Sequence, residues 1–440
     1  MSKIRFTLFS MKDALFAFGP IVLMVIAVIV TGYYLVDPAP GRTLDFSAGQ
    51  DNTAYQEFAT KYAQELAKNQ IQLRIHKSQG SQENLHQISD PDSIIDIGFV
   101  QSGSTNQADA EAQGLISLGS LFYEPIWIFY RNKKDFTSLV ELKGKRVNVG
   151  PDGYGVRRLF TQILSVNNLE ESDIQVQQLE SSAAAAALIE GKLDVLVMSS
   201  ASDSLLVQML LQTPGVKLFD FVQAEAYTRR FPFLSHVILP RGIVDLGRDI
   251  PSRDYHLISP TATLVAHESL HPALISLFLQ AAKKIHGGAN WFSKQAEFPS
   301  DRYTEIAVEK QAEKFYKNGT PFLQRYLSFW MSNFLERMWV VLLTLGALAL
   351  PLSKIIPPLY VWRIRSRIYR WYGQLRSVEH AFDEATPKQR KQIAQEQLQR
   401  LDAIEQKVNH ISIPLSYAEE LYGLRSHIQF VRKRVLGETA

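Results

Sequence analysis

Hydrophobic and polar positions divide the chain into two long apolar stretches that flank a region of short alternating segments. Residues 14–36 read ALFAFGPIVLMVIAVIVTGYYLV without a charge, and MWVVLLTLGALALPL opens a second stretch at residues 338–362. At about 1.5 Å per residue, either stretch can cross a bilayer core of roughly 30 Å. The pattern therefore predicts two transmembrane helices, the second bounded by the interfacial tryptophans Trp339 and Trp362.

Each apolar stretch has an alternative interpretation. The first resembles a cleaved signal peptide, but it is too long, and the DPAPGRT that follows lacks a small-x-small cleavage site free of proline. The second could be a buried core helix with Lys354 and Pro357–Pro358 near its end. A cluster of arginines follows it at once, at positions 363, 365, 367, 370 and 376, and such a cluster is typical of a cytoplasmic flank. We therefore favour two uncleaved spans.

The charge distribution predicts the topology. The 440 residues carry a formal net charge of only +3, with basic residues in excess at both ends and acidic residues in excess between the spans. Because basic flanks stay in the cytoplasm, we expect residues 1–13 and 363–440 to be cytoplasmic. Residues 37–337 then form a periplasmic domain of a protein in the bacterial inner membrane.

The region between the spans alternates strand-like and helix-like segments. Residues 43–48, 94–100 and 126–130 are typical of buried strands, and residues 55–68 are typical of an amphipathic helix. This alternation predicts an α/β fold with largely parallel sheets. Ligands of such sheets bind in loops beyond the carboxyl ends of the strands.

Five loops that follow predicted strands are rich in glycine, hydroxyl and amide groups. They begin at residues 49, 78, 101, 150 and 199 and read GQDNT, SQGS, QSGS, GPDGYG and SSAS. Backbone N–H groups at a helix start attract carboxylates and phosphates, and small residues let a ligand approach the backbone. Loops of this composition are also common for turn formation alone. Their recurrence at five strand ends favours a cleft for a polar ligand.

The order of these motifs resembles the TAXI family of periplasmic solute-binding proteins, the receptor subunits of tripartite ATP-independent (TRAP) transporters. The resemblance covers roughly residues 43–330. Its strongest segments are SQGSQENLHQISDPDSIIDIGFVQSG, LVELKGKRVNVGPDGYGVRRLFTQIL and AAAAALIEGKLDVLVMSS.

The resemblance implies a two-lobed periplasmic-binding-protein type II fold. Crossing strands are expected near residues 123–131 and 231–238, with a second lobe at about 126–234. The implied ligand is a small carboxylated solute, and the implied partners are TRAP-type permease subunits. The ligand contacts that it implies are Gly49, Gln50, Asn52, Tyr55, Gly80, Ser81, Gln101, Ser102, Gly153, Tyr154, Gly155, Ser199 and Ser200.

Three positions depart from the family's pattern. Tyr154 stands where serine or threonine is usual, Val156 replaces a common threonine, and Asn52 replaces a glycine. The bulky Tyr154 is expected either to stack on the ligand or to fill part of the pocket.

Enzymatic, metal and nucleic-acid functions have little support. His267-Glu268-Ser269-Leu270-His271 matches the zinc-protease pattern H-E-x-x-H, which requires both histidines on one helical face. Pro272 suits the first turn of a helix, so the two histidines are expected to flank a strand-to-helix turn. We expect no catalytic residue, metal or cofactor. Acidic residues interspersed with the basic ones also argue against nucleic-acid binding.

The tail is predicted to be a helical hairpin. Residues 393–408 carry one apolar stripe, and a second helix is expected at residues 417–435. The tail could simply pack on itself, contact a cytoplasmic partner, or follow an anionic membrane surface.

Three functions remain as hypotheses. The first is a receptor that delivers a solute to a TRAP-type transporter. The second is a membrane-bound sensor that signals through the tail. The third is a zinc hydrolase, which only the H-E-x-x-H match supports.

The topology is testable with reporter fusions. A periplasm-specific reporter should be active when fused after residue 36 and inactive when fused after residue 440, because only the first site lies between the spans. A reporter that is active at residue 440 would contradict the two-span topology.

Overall fold

The described chain follows the predicted order of helices and strands. The computed structural model describes residues 11–36, 39–51, 53–151, 153–202, 204–411 and 413–437. Its helices are α1 (Met11–Val36), α2 (Ala54–Ala67), α3 (Ser81–Ser89), α4 (Gln107–Ala112), α5 (Gly155–Val166), α6 (Ser181–Ile189), α7 (Leu205–Gln212), α8 (Ala224–Arg230), α9 (Pro272–His286), α10 (Lys310–Asn318), α11 (Phe329–Asp383), α12 (Pro387–Asn409) and α13 (Ala418–Gly437). Its strands are β1 (Thr43–Ser47), β2 (Gln72–His76), β3 (Ile97–Gln101), β4 (Leu115–Tyr123), β5 (Ile126–Tyr130), β6 (Arg146–Asn148), β7 (Gln175–Gln177), β8 (Val195–Ser199), β9 (Lys217–Leu218), β10 (Ser235–Leu239), β11 (Tyr255–Ser259) and β12 (Thr261–His267).

The chain divides into two units. One contains residues 39–333, and the other contains the segment up to residue 38 together with the segment from residue 334 onward. The larger unit is the α/β region, and it consists of two lobes, each built on a five-stranded sheet, and a two-stranded ribbon.

The first lobe is built on a five-stranded sheet of order β2-β1-β3-β12-β4. Strands β1, β2 and β3 are parallel, whereas β12 is antiparallel to both β3 and β4. Phe46 of β1 stacks against Tyr62 of α2 and Phe278 of α9, with ring centroids 6.4 and 6.3 Å apart. Buried aromatic rings of this size supply much of the apolar area of a core. These contacts fix the two helices on the sheet.

The second lobe has a sheet of order β7-β6-β8-β5-β9. Strands β6, β7 and β8 are parallel, and β5 is antiparallel to β8 and β9. The run Val195, Leu196, Val197 and Met198 in β8 is buried throughout. Such a continuous apolar run is typical of a strand whose two faces are both covered.

Two short connections join the lobes. Glu124 and Pro125 lead from β4 to β5, and Pro260 alone leads from β11 back to β12. The backbone N–H of Glu124 donates to the carbonyl of Pro260 at 3.0 Å, so the two connections lie side by side. Together they form the only described covalent links between the two sheets.

The second connection lies later in the chain than the sequence analysis placed it. The prediction put it at residues 231–238 and ended the second lobe near residue 234. Instead, β10 pairs with β11 as an antiparallel ribbon whose buried Leu239, Leu257 and Ile258 join the second lobe's core. An apolar strand of a ribbon and a crossing strand have the same local pattern, so the sequence did not distinguish them.

The tail forms three packed helical segments. Helix α11 does not end near residue 362 but continues to Asp383, with Pro351, Pro357 and Pro358 inside it. Its last part packs with α12 and α13, the predicted hairpin, around a core that includes Ile368, Leu401 and Leu424. The hairpin prediction thus missed the helix on which the hairpin packs.

Two described helices are long and apolar enough to cross a membrane. They are α1, through residues Phe18–Val36, and α11, and neither apolar window is buried by the rest of the protein. Gly32 of α1 lies against Val341 of α11, where an added Cβ would be 2.8 Å from a valine methyl. Small residues of this kind allow close approach of membrane helices.

The close contact at Gly119 in β4 is open to a stability test. This residue has a φ of +114°, and an added Cβ would lie 2.6 Å from the Ser300 carbonyl and closer still to the Tyr316 hydroxyl. Gly119→Ala should therefore destabilise residues 39–333 by about 3 kcal/mol or more in urea unfolding.

Gly191→Ala is the matched control, because its φ is +76° but nothing lies within 4 Å of the added Cβ. It should cost about 1 kcal/mol. Equal losses would show that the contact at Gly119 is unimportant.

Candidate functional site

A cavity of about 130 Å³ lies between the two lobes of residues 39–333. It opens at the carboxyl ends of the parallel strands, the position where open α/β sheets bind ligands. Most of the residues predicted to contact a ligand line it: Gly49, Gln50, Tyr55, Gly80, Ser81, Gln101, Tyr154, Gly155, Ser199 and Ser200. The structure therefore brings these residues of both lobes together.

Two of the other predicted residues, Ser102 and Gly153, are not in the described cavity wall. Ser102 is buried behind it, with its hydroxyl 2.8 Å from the Thr261 hydroxyl and donating to the Tyr303 carbonyl at 3.0 Å. Neighbouring side chains of an extended segment point in opposite directions, so Gln101 faces the cavity and Ser102 cannot. Gly153 lies where the lobes meet, with the Gln79 Cβ 3.1 Å from an added Cβ. Asn52 lies outside the described residues.

The starts of five helices meet at the cavity. The first residues of α2, α3, α5, α6 and α7, or their N-caps, belong to its wall. Only α2 has a side-chain cap, in which the Thr53 hydroxyl accepts from the Gln56 N–H. The other four have no side-chain cap hydrogen bond. A helix N-terminus carries a partial positive charge and unpaired N–H groups, so this arrangement favours an anion.

Buried amides fix the loops that carry these helix starts. The side chain of Asn84, which is fully buried, donates to the Ala48 carbonyl at 2.7 Å and to the Phe99 carbonyl at 2.8 Å. It also accepts from the Ser47 hydroxyl at 2.7 Å. One side chain therefore ties the ends of β1 and β3 to α3. Asn84 lies within one of the segments that resemble the TAXI family, but no role was predicted for it.

Tyr154, the departure from the family pattern, links the two lobes. Its hydroxyl donates to Gln50 Oε1 at 2.7 Å, and Gln50 Nε2 donates to Gln79 Oε1 at 2.7 Å. Its ring covers Gly150, where an added Cβ would lie 2.8 Å from a ring carbon. Of the two expectations for Tyr154, this position matches the one in which it fills part of the cleft.

Glu124, which the sequence analysis missed, is the acidic residue of the cavity wall. It is only 5% exposed, and its Oε2 accepts from the Tyr55 hydroxyl at 2.9 Å and from Gln101 Nε2 at 3.4 Å. Burial raises the pKa of Glu124 to about 7, against the lowering effect of these two donors. Its signal in the sequence is a lone acid between the apolar runs LFY and PIWIFY.

Gln101 connects Glu124 to the other lobe. The amide of Gln101 donates to the Ser199 hydroxyl at 2.7 Å, and that hydroxyl donates to the Glu124 carbonyl at 2.9 Å. A buried network in which both lobes supply members is sensitive to their relative position.

No lysine, arginine or histidine lies among the described residues that line the cavity. Arg157 pairs with Glu171 at 3.4 Å, and Arg158 donates to the Ser104 carbonyl of the other lobe at 2.5 Å. Helix starts are thus the main positive feature of the described cavity wall.

The H-E-x-x-H segment forms the predicted strand-to-helix turn. His267 ends β12, and His271 is the N-cap of α9, where its Nδ1 accepts from the Ala273 N–H at 3.1 Å. Among the described residues, no group of three or more metal-ligating side chains has suitable geometry. The segment has a structural role at a helix start.

Comparison with known proteins identifies the family. The sequence profile of the NMT1-like family matches residues 51–281, more than half of the chain. In this range lie most of both lobes and every described residue of the cavity wall except Gly49 and Gln50.

Three solved structures show a distant likeness to this chain. The periplasmic aliphatic sulphonate-binding protein SsuA from Escherichia coli is 16% identical, with a TM-score of 0.36 over 55% of this chain and 69% of that one. The alkanesulfonate-binding protein SsuA from Xanthomonas axonopodis pv. citri, bound to MOPS, is 14% identical, with a TM-score of 0.37 over 56% and 73%. The effector-binding domain of a BenM variant is 11% identical, with a TM-score of 0.37 over 56% and 93%.

The raised pKa of Glu124 makes the folding stability depend on pH. Between the ordinary pKa of 4.5 and the folded pKa of about 7, the folded chain keeps a proton that the unfolded chain has lost. Stability should therefore fall by about 3 kcal/mol as the pH rises through this range. Urea unfolding of residues 39–333 at pH 5 and pH 8 measures this loss. Glu124→Gln should abolish it, whereas Glu190→Gln, at an exposed position, should not. An unchanged pH dependence in Glu124→Gln would exclude Glu124 as its source.

Proposed function

Since this chain belongs to the NMT1-like family, we propose that residues 39–333 are the receptor domain of a membrane-anchored solute-binding protein. The domain captures a small carboxylated solute in the cleft between its lobes. The observation that carries the proposal is the meeting of four helix starts without side-chain caps at one cavity.

The charge of the solute follows from these helix starts. Unpaired N–H groups and aligned peptide dipoles stabilise a negative group without requiring an arginine or lysine. Two of the helices, α5 and α3, come from different lobes and approach each other where Gly155 lies beside Ser81. An anion held between them contacts both lobes at once.

Capture requires the lobes to move. The paired connections at Glu124 and Pro260 are short, so small changes of their backbone angles rotate one lobe against the other. Hydrogen bonds across the cleft, from Tyr154 to Gln50 and from Gln101 to Ser199, define the closed arrangement. The solute is released when these bonds open.

Helices α1 and α11 anchor the receptor in the bacterial inner membrane. Both termini are cytoplasmic and residues 39–333 are periplasmic in this proposal, which rests on the apolar segments and their basic flanks. The partner is a TRAP-type permease, as the motif resemblance to the TAXI family suggests. Anchoring keeps the receptor at the membrane where its permease lies.

One observation favours a second function, that of a ligand sensor. Helix α11 begins in the first lobe, where Phe329 is buried in the core and Trp330 Nε1 donates to the Asn69 carbonyl at 3.0 Å. The same helix continues without interruption to Asp383. A partner that binds the tail only when solute is present would favour sensing over delivery.

A ligand screen on the full chain in detergent tests the receptor function. Small carboxylates, with sulfonates and phosphates of the same size, are added and the unfolding temperature is measured. A carboxylate at 100 times its dissociation constant should stabilise the fold by about 2.7 kcal/mol and remain chemically unchanged. If no small anion stabilises the chain, the receptor proposal fails.

The variant Gly155→Ala tests whether the solute binds in the cleft between the lobes. The added Cβ would lie 2.6 Å from Gln101 Oε1 and 3.2 Å from the Ser81 Cβ, so the lobes could not approach fully. We expect affinity to fall about tenfold or more, as for a loss of over 1.4 kcal/mol. Gly288→Ala, with nothing within 4 Å, is the control and should bind normally.

A further inference from the structure

The geometry points to Glu124 as the specificity-determining residue of the cleft: it accepts a hydrogen bond from the solute and rejects a second carboxylate. The preferred solute is then a short monocarboxylate that also carries a hydroxyl or ammonium group. This inference rests on the proposed function, and it narrows the class of solute.

One oxygen of Glu124 is available to a solute. Oε2 already accepts from Tyr55 and Gln101. Within the described part of the chain no donor bonds to Oε1, although Glu124 is 5% exposed and belongs to the cavity wall. A solute that fills the cavity displaces water from this acceptor, so a solute that brings a donor is favoured over one that leaves the acceptor unbonded.

Glu124 cannot easily turn away from the cavity. Its N–H donates to the Pro260 carbonyl at 3.0 Å, and its own carbonyl accepts from the Ser199 hydroxyl at 2.9 Å. Tyr55, which holds its carboxyl group, is itself buried and in contact with the rings of Phe99 and Phe122. The backbone and the carboxyl group are therefore held from both sides of the cleft.

The surroundings of Glu124 do not offset a second negative charge. Among the described wall residues there is no cation, and the groups that contact the carboxyl group are a phenol and an amide. Two carboxylates in one buried site disfavour each other's ionised form. A dicarboxylate would place its second charge beside Glu124, whereas a hydroxyl or ammonium group would pair with it.

The cavity also limits the size of the solute. Its volume is about 130 Å³. An apolar cavity of about 150 Å³ in another protein accommodates benzene, which has six carbon atoms. The cleft therefore fits a small solute of about six non-hydrogen atoms.

Four probes of this size separate the alternatives by calorimetry on the full chain in detergent at pH 8. Lactate and alanine carry a donor beside the carboxylate, propionate lacks the donor, and malonate replaces it by a second carboxylate. We expect the better of lactate and alanine to bind at least tenfold more tightly than propionate or malonate.

In Glu124→Gln, the side-chain amide can donate a hydrogen bond to a carboxylate. The affinity for malonate should therefore rise at least tenfold, and the preference for lactate or alanine should be lost. Glu190→Gln, the exposed control, should keep the original order.

The outcomes distinguish this inference from the proposed function. If propionate and malonate bind the unmodified chain as tightly as lactate and alanine, the cleft is a receptor but Glu124 does not select its solute. The same conclusion follows if Glu124→Gln keeps the original order. If none of the four probes binds the unmodified chain while a larger anion does, the inference fails through its size limit. If no anion binds, the proposed function fails as well. If Glu124→Gln does not fold, the series on the unmodified chain still overturns the inference when propionate and malonate bind as tightly as lactate and alanine.

Discussion

The backbone hydrogen bond from the Glu124 N–H to the Pro260 carbonyl is the constraint on which the two-lobed region of residues 39–333 depends. It holds together the two points at which the chain passes between lobes. Strand β12, which follows Pro260, inserts between β3 and β4, so the first sheet is complete only after the chain has returned from the second lobe. The first lobe, the hinge and one wall of the cleft are therefore formed by segments that are distant in sequence.

Several polar groups at the cleft form hydrogen bonds from one lobe to the other. Buried polar groups are almost always hydrogen-bonded, and here several of the bonds join one lobe to the other. Gln101 bonds to Ser199, Tyr154 to Gln50, and Arg158 to the Ser104 carbonyl. The relative position of the two lobes is thus specified by directional contacts as well as by shape.

The local pattern of hydrophobic and polar residues was sufficient to predict most helices and strands, and the loops that lie near the cleft. Strand β5 was predicted at its observed bounds, because its apolar run is short and its flanks are polar or proline. The turn at His271 followed from Pro272. The fold class is confirmed, whereas the ligand contacts at the cavity remain predictions.

Long-range relations account for what the sequence analysis missed. The orientation that separates Gln101 from Ser102 depends on how β3 pairs with β12. The place of Glu124 in the cavity wall could not be predicted, because its hydrogen-bond partners Tyr55 and Pro260 are distant from it in sequence. The ribbon β10–β11 was mistaken for a crossing strand because partner strands are not encoded locally. The predicted span ended at residue 362, but α11 continues to Asp383, and its later residues Ile364 and Ile368 are buried in the tail core.

The prolines of α11 have a mechanical consequence. A proline has no N–H, so the carbonyls of Ala347, Ser353 and Lys354, each four residues earlier, lack their usual donor within the helix. The Ser353 hydroxyl donates to the Leu350 carbonyl and does not replace the missing bonds. Helix bends occur most often at such positions. The segment from Pro351 to Pro358 is therefore the most compliant part of α11.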